Sequence, residues 1–194
     1  QLGPMLAWEH ENLSQALDFA IALRQSIQNI YGALSKSFDL NRDDQQGLAL
    51  GESVLARLGN ASSVTLPEAI QVERAQVMLN VGYRHLMLEQ HQPAEQTYQG
   101  VLKLVDQLTE IDPKSRSYIT GTAYHQLGVI AQERMQWQQA EQYCQKALQI
   151  RQEIRHQVNN RSEQATSYHQ LGSIAKEQNQ LRQAQQYFKQ ALAL

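Results

Sequence analysis

Apolar residues along this chain recur three, four and seven positions apart and are separated by polar stretches rich in Gln. In a helix those offsets fall on one face, so the pattern predicts amphipathic α-helices throughout. The expected helices lie near 5–25, 27–39, 43–58, 66–90, 93–110, 114–134, 137–157, 161–178 and 181–193. Pro67 and Pro93 sit where proline is tolerated, in the first turn of a helix. Ile111-Asp112-Pro113 and Asn159-Asn160 read as stops between helices. The one strand candidate, Ser63-Val64-Thr65-Leu66, is short and runs into Pro67, so no strand is expected.

The chain is internally repetitive. Residues 124–148, YHQLGVIAQERMQWQQAEQYCQKAL, align without gaps to 168–192, YHQLGSIAKEQNQLRQAQQYFKQAL, with 15 identities in 25 positions at an offset of 44. Two weaker copies precede them. A small residue following Leu or Val appears at Ser35, Gly82, Gly128 and Gly172, spaced 47, 46 and 44 residues apart. Twelve residues after each comes a second small residue: Gly47, Ala94, Ala140 and Ala184. Four residues before each comes a large one: Tyr31, Met78, Tyr124 and Tyr168. Two antiparallel helices approach closely only where side chains are small. The paired small residues therefore mark the crossing of a helical hairpin, with the large residue filling the space beside it.

The pattern of a large residue, Leu-Gly, then a small residue in the next helix resembles the tetratricopeptide repeat. In that family an aromatic follows in the second helix. Here the position holds Gly51, Tyr98, Cys144 and Phe188, so the first copy reads as degenerate and the third as atypical. The period exceeds the usual value of about 34 and resembles extended variants such as those of kinesin light chain. A HEAT or armadillo array, with a period of about 40–47, is the rival, and the twelve-residue spacing favours the tetratricopeptide reading. The resemblance implies an all-α, right-handed superhelical solenoid of antiparallel hairpins with about nine helices. The expected organisation is a linker or capping helix plus a degenerate repeat over 1–60, then extended repeats over 61–194, at about 66–110, 114–157 and 161–194.

Composition narrows the function. The 17 Lys and Arg are balanced by 19 Asp and Glu and interspersed with them, so no basic surface for nucleic acid is expected. No segment has the apolar length of a membrane span. A single cysteine, Cys144, excludes an internal disulfide framework and fits a reducing, cytoplasmic setting. Gln, roughly one residue in six, reads as the solvated faces of helices.

Chemistry is hard to assemble. Neither GxGxxG nor GxxxxGK[ST] occurs, nor HExxH, CxxC or a calcium-loop carboxylate ladder. No catalytic residue, metal site or cofactor is therefore expected. Cys144 replaces a core aromatic and reads as packing. Tyr31, Tyr98, Tyr124 and Tyr168 read as core plugs, and Trp137 as a packing anchor. His125 and His169 hold equivalent places in adjacent hairpins, roughly 10 Å apart, too far to share a metal. They are either polar ligand contacts or an inheritance of the repeat.

In tetratricopeptide repeats, ligand contacts come from exposed positions of each first helix, which lines a concave face. The resemblance carries this role to Asn80 and Tyr83 in the second copy, to His125, Gln126, Gln132 and Glu133 in the third, and to His169, Gln170, Ser173, Lys176 and Glu177 in the fourth. The carboxylate clamp of chaperone-binding members needs Lys, Asn and Arg at such sites, and only Asn80 fits it. The expected partner is a protein or peptide, in an oligomeric state the sequence leaves open.

A second resemblance lies at residues 8–20, WEHENLSQALDFA. It is similar to the start of the repeat region in STAND-type signalling ATPases, the MalT-like and NB-ARC-containing bacterial regulators. It implies a sensor or interaction region cut from a larger protein, with its ATPase part elsewhere. An intracellular peptide receptor controlling a partner, or a structural spacer, are the alternatives.

Overall fold

The structure, a computed structural model, describes residues 3–59, 66–154 and 160–194, with side chains from His10 onward. These residues form nine helices and no strand: α1 (Gly3–Ala22), α2 (Gln28–Asn41), α3 (Asp44–Gly59), α4 (Glu68–Met87), α5 (His91–Asp106), α6 (Pro113–Glu133), α7 (Trp137–Glu153), α8 (Arg161–Glu177) and α9 (Leu181–Leu192). Each matches one expected helix. Most of the Ser63–Leu66 strand candidate, and Asn159 of the second stop, lie outside the described residues. Helix α7 ends at Glu153 rather than near 157. Pro67 stands at the N-cap of α4, just outside the helix. Asp112 caps α6, its side chain accepting from the Ser115 amide at 2.9 Å ahead of Pro113 in the first turn.

The hairpin turns share one device. Arg42, Glu89, Met135 and Asn179 carry φ of 53°, 58°, 58° and 60°, in the left-handed region, and are spaced by the same 47, 46 and 44 residues as the repeat. The residue after each donates back across the turn: Asp43 N to Phe38 O, Gln90 N to His85 O, Gln136 N to Ala131 O and Gln180 N to Ala175 O, at 2.8–3.0 Å. These bonds satisfy carbonyls that the helix end would otherwise leave unpaired.

The chain divides into two compact units, Gln1–Thr97 and Tyr98–Leu194, with the boundary inside α5. In the first, α1 lies on α2 and α3, contributing Leu13, Leu17, Ala20 and Ile21 to a core with Ile27, Tyr31, Leu34, Val54, Leu58, Val77 and Val81. Glu73 of α4 is buried, and its carboxylate accepts from the Ile27 amide at the start of α2, at 2.7 Å. In the second unit, Ala131 of α6, Ala140, Cys144 and Leu148 of α7, and Leu171 and Ile174 of α8 form a core flanked by Tyr143, Tyr168 and Tyr187.

The small residues lie at helix crossings, as expected. A Cβ on Gly128 would stand 2.5 Å from Cys144 Sγ and 3.4 Å from the Ala140 carbonyl oxygen. A Cβ on Gly172 would stand 2.6 Å from the Phe188 ring. The first copy packs differently at its aromatic position. Gly51 stands where other copies place Tyr, Cys or Phe, and its missing side chain is replaced by Val81 of α4 and the Tyr31 hydroxyl. Gly47, one turn earlier, receives the Arg84 guanidinium in the same way. α3 thus presents two glycine hollows that α4 fills with Val81 and Arg84, three residues apart on one face.

Candidate functional site

The residues expected to face a ligand fall into different environments. In the first unit, Asn80 turns inward: its Oδ1 accepts from the Tyr31 hydroxyl at 2.8 Å and from Ser35 Oγ at 3.3 Å. It ties α4 to α2 and is half-buried. Tyr83, one turn on, is exposed, as is Met87.

In the second unit, α6 and α8 run beside each other. Gln170 Nε2 of α8 donates to Gln132 Oε1 of α6. Both are half-buried, while Glu133, Lys176 and Glu177 are exposed. Gln126 is half-buried on the same helix as Gln132. Ser173 Oγ donates to the His169 carbonyl at 3.1 Å, four residues back, so its hydroxyl is engaged within α8. The joined amides and the charged positions beside them make one polar, mixed-charge surface across two first helices.

The two repeat histidines, equivalent in sequence, are not equivalent in space. His169 is exposed and lies 5.4 Å, centroid to centroid, from Phe188 of α9. With Phe188, Ala165, Thr166, Ala191 and Leu192 it lines an open cavity of about 440 Å³. His125 is instead half-buried, its Nδ1 enclosed and without a hydrogen-bond partner. Burial, with the Arg151 cation nearby, pushes its pKa down to about 4. It is therefore neutral at neutral pH. Cys144 is sealed, with burial raising its thiol to about 12, so it is not a reactive thiolate. Among the expected plugs, Tyr31 and Tyr98 are buried and Tyr124 and Tyr168 half-buried, as is Trp137.

Two buried arginines are absent from the expectations. Arg84, 1% exposed, pairs with Asp39 at the end of α2 and with Asp44 at the start of α3, 2.7 Å away, and donates to the Ser35 carbonyl at 3.1 Å. Arg151 lies over Gly121, its Nε 3.2 Å from where a Cβ would stand, and donates to the Glu163 carbonyl at 2.8 Å and Ser167 Oγ at 2.6 Å. Both occupy repeat positions that hold aliphatic residues in other copies: Ile130 and Ile174 match Arg84, with Ser37 in the first copy, and Leu58 and Val105 match Arg151. A charged residue at a core repeat position opposite a glycine was the signal available. Among the described residues, no three His, Cys, Asp or Glu stand together as metal ligands, and no helix is long and apolar enough to cross a membrane.

Known proteins place the hairpin geometry. A tetratricopeptide repeat family model matches residues 119–194. Solved structures share the fold over nearly the whole chain. BtubC (BKLC) from P. vanneervenii superposes with a TM-score of 0.73 at 16% identity, covering 95% of this chain and 72% of that one. A Podosopora anserina putative kinesin light chain with nearly identical TPR-like repeats gives 0.61 at 17% identity, covering 100% and 88%. MamA gives 0.56 at 15% identity, covering 94% and 91%. No curated protein sequence matches the chain. The fold is all-α and of the tetratricopeptide type. Such repeats serve as protein-interaction scaffolds.

Proposed function

We propose that this chain is a non-catalytic recognition module that captures a protein or peptide on the first-helix face formed by α6 and α8. The observation that carries this reading is the Gln170–Gln132 hydrogen bond. It joins two first helices of a tetratricopeptide-type array into one surface, with Glu133, Lys176 and Glu177 exposed on it. Amide groups supply both donors and acceptors, which suits a peptide main chain or polar side chains. Mixed charge of this kind tunes specificity more than raw affinity.

The test compares partner capture by the intact chain with that by a variant carrying Gln126→Ala, Glu133→Ala, Gln170→Ala and Glu177→Ala together. Partners lost by the variant, with its helical content unchanged, support the assignment; an unchanged set of captured proteins sinks it.

A second reading concerns context. α1 uses Leu13, Leu17, Ala20 and Ile21 to pack inward and leaves Phe19, and Leu23 just past its end, exposed. This supports α1 as a junction helix joining the repeats to the nucleotide-binding part of a STAND-type signalling ATPase acting in the cytoplasm. A parent reading frame lacking a phosphate-binding loop upstream would remove that reading while leaving the recognition module intact.

A further inference from the structure

The hairpins α6–α7 and α8–α9 carry the same stacking face, and only the first is covered. Cys144 and Leu148 of α7 pack in one core with Leu171 and Ile174 of the following helix, α8. At the repeat offset of 44 residues, Phe188 and Leu192 of α9 hold the matching positions. Leu148 is 9% exposed and Leu192 88%. The same change runs across the face. Gly121, Cys144 and Ala147 are buried, whereas their counterparts Ala165, Phe188 and Ala191 are half-buried and line the open cavity of about 440 Å³. Leu181, seven residues before Phe188 and so on the same side of α9, is exposed, while its counterpart Trp137 is half-buried.

We propose that this face of α8 and α9 binds an amphipathic α-helix of a partner protein, one with large apolar side chains three residues apart, as α8 has at Leu171 and Ile174. The interface between α7 and α8 identifies the occupant, because the repeat reproduces its receiving side and leaves the helix that fills it to be supplied. Ala165 on α8 and Ala191 on α9 are small enough for a third helix backbone to come close, as Gly121 and Ala147 are one copy earlier. The cavity lacks the convergent polar groups that orient a small ligand. Thr166 Oγ1 donates back to the Ser162 carbonyl at 2.9 Å, and His169 lies against the Phe188 ring. A helix docking through apolar anchors one turn apart needs no such groups. A second copy of this chain does not offer the matching helix, since Leu171 and Ile174 are 2% and 1% exposed and held in its own core. The face does not use Gln126, Glu133, Gln170 or Glu177, so either surface assignment can fail alone.

The probe is a capped peptide of residues 161–178 carrying Gly172→Ala to favour the helix. It is titrated into the intact chain and followed through the methyl resonances of Ala191 and Leu192. A control peptide also carries Leu171→Ser and Ile174→Ser. The expected result is saturable shifts at both methyls and about tenfold weaker binding of the control. The protein variant Leu181→Ser, Leu192→Ser changes two exposed side chains and leaves the core intact. It is expected to bind the helix peptide about as weakly as the intact chain binds the control. The Gln126→Ala, Glu133→Ala, Gln170→Ala, Glu177→Ala variant is expected to keep full affinity for the peptide. No saturable shift, equal affinity for the two peptides, an unaffected serine variant, a weakened quadruple variant, or shifts at Leu148 in place of Leu192 would each overturn the proposal. So would a dimer of the intact chain that the serine variant loses, because it would make a second copy the occupant.

Discussion

The Arg84 guanidinium occupies the hollow left by Gly47, its Cζ 2.8 Å from where an alanine Cβ would stand. The pair couples charge to space. A buried cation needs partners, supplied by Asp39, Asp44 and the Ser35 carbonyl, and it needs room beside α3, supplied by glycine.

Arg84→Ala removes the cation and leaves a cavity next to two carboxylates. Its expected cost is about 3 kcal/mol, read as a lowered urea midpoint. Arg84→Met keeps volume without charge and is expected to cost less than half as much, because Asp39 and Asp44 retain solvent contact. Equal losses for the two variants would show that charge, not volume, dominates.

Gly51→Ala tests whether the first repeat is degraded or complementary. The new Cβ meets Val81, a short, stiff side chain on the facing helix. The expected destabilisation is about 1–3 kcal/mol. A neutral result would show that Gly51 is merely a lost aromatic.

Met135 lies at φ 58° with its side chain largely exposed. Glycine adopts that conformation without a Cβ penalty of about 1–2 kcal/mol, offset in part by its greater freedom when unfolded. Met135→Gly is therefore expected to raise stability by about 0.5–1 kcal/mol, seen as a higher melting temperature.

His125 makes stability depend on pH. Its folded pKa of about 4 lies below the ordinary 6.5, so the unfolded chain binds the extra proton first. The contribution is whole above pH 6.5 and is lost as pH falls toward 4, amounting at most to about 3 kcal/mol. Comparing intact chain and His125→Leu in urea at pH 7 and pH 5 isolates it. The variant is expected to lose less stability on acidification, and parallel losses would place the histidine in water.

Much of this arrangement was legible in the chain. Each helix of the structure was visible because hydrophobic spacing and sparse prolines constrain local conformation directly. The crossings at Gly128–Ala140 and Gly172–Ala184 were visible because close approach tolerates only small side chains. The candidate surface was legible only as positions on first helices. Nothing in YHQLG says that His125 is half-buried while His169 is exposed, because burial depends on which element packs over each copy. Asn80 read as a ligand contact for the same reason, although Tyr31 and Ser35 claim it.

The sequence by itself determined the helices, the hairpin pairing and the 44–47-residue period, since these follow from local sterics and from residues spaced along one helix face. Only the tertiary structure decided that Gly47 and Gly51 are hollows for Arg84 and Val81, that Arg151 lies over Gly121 and bonds α8, and which polar side chains are spent internally. Those outcomes are set by volume and charge matching between helices tens of residues apart, which no local pattern encodes.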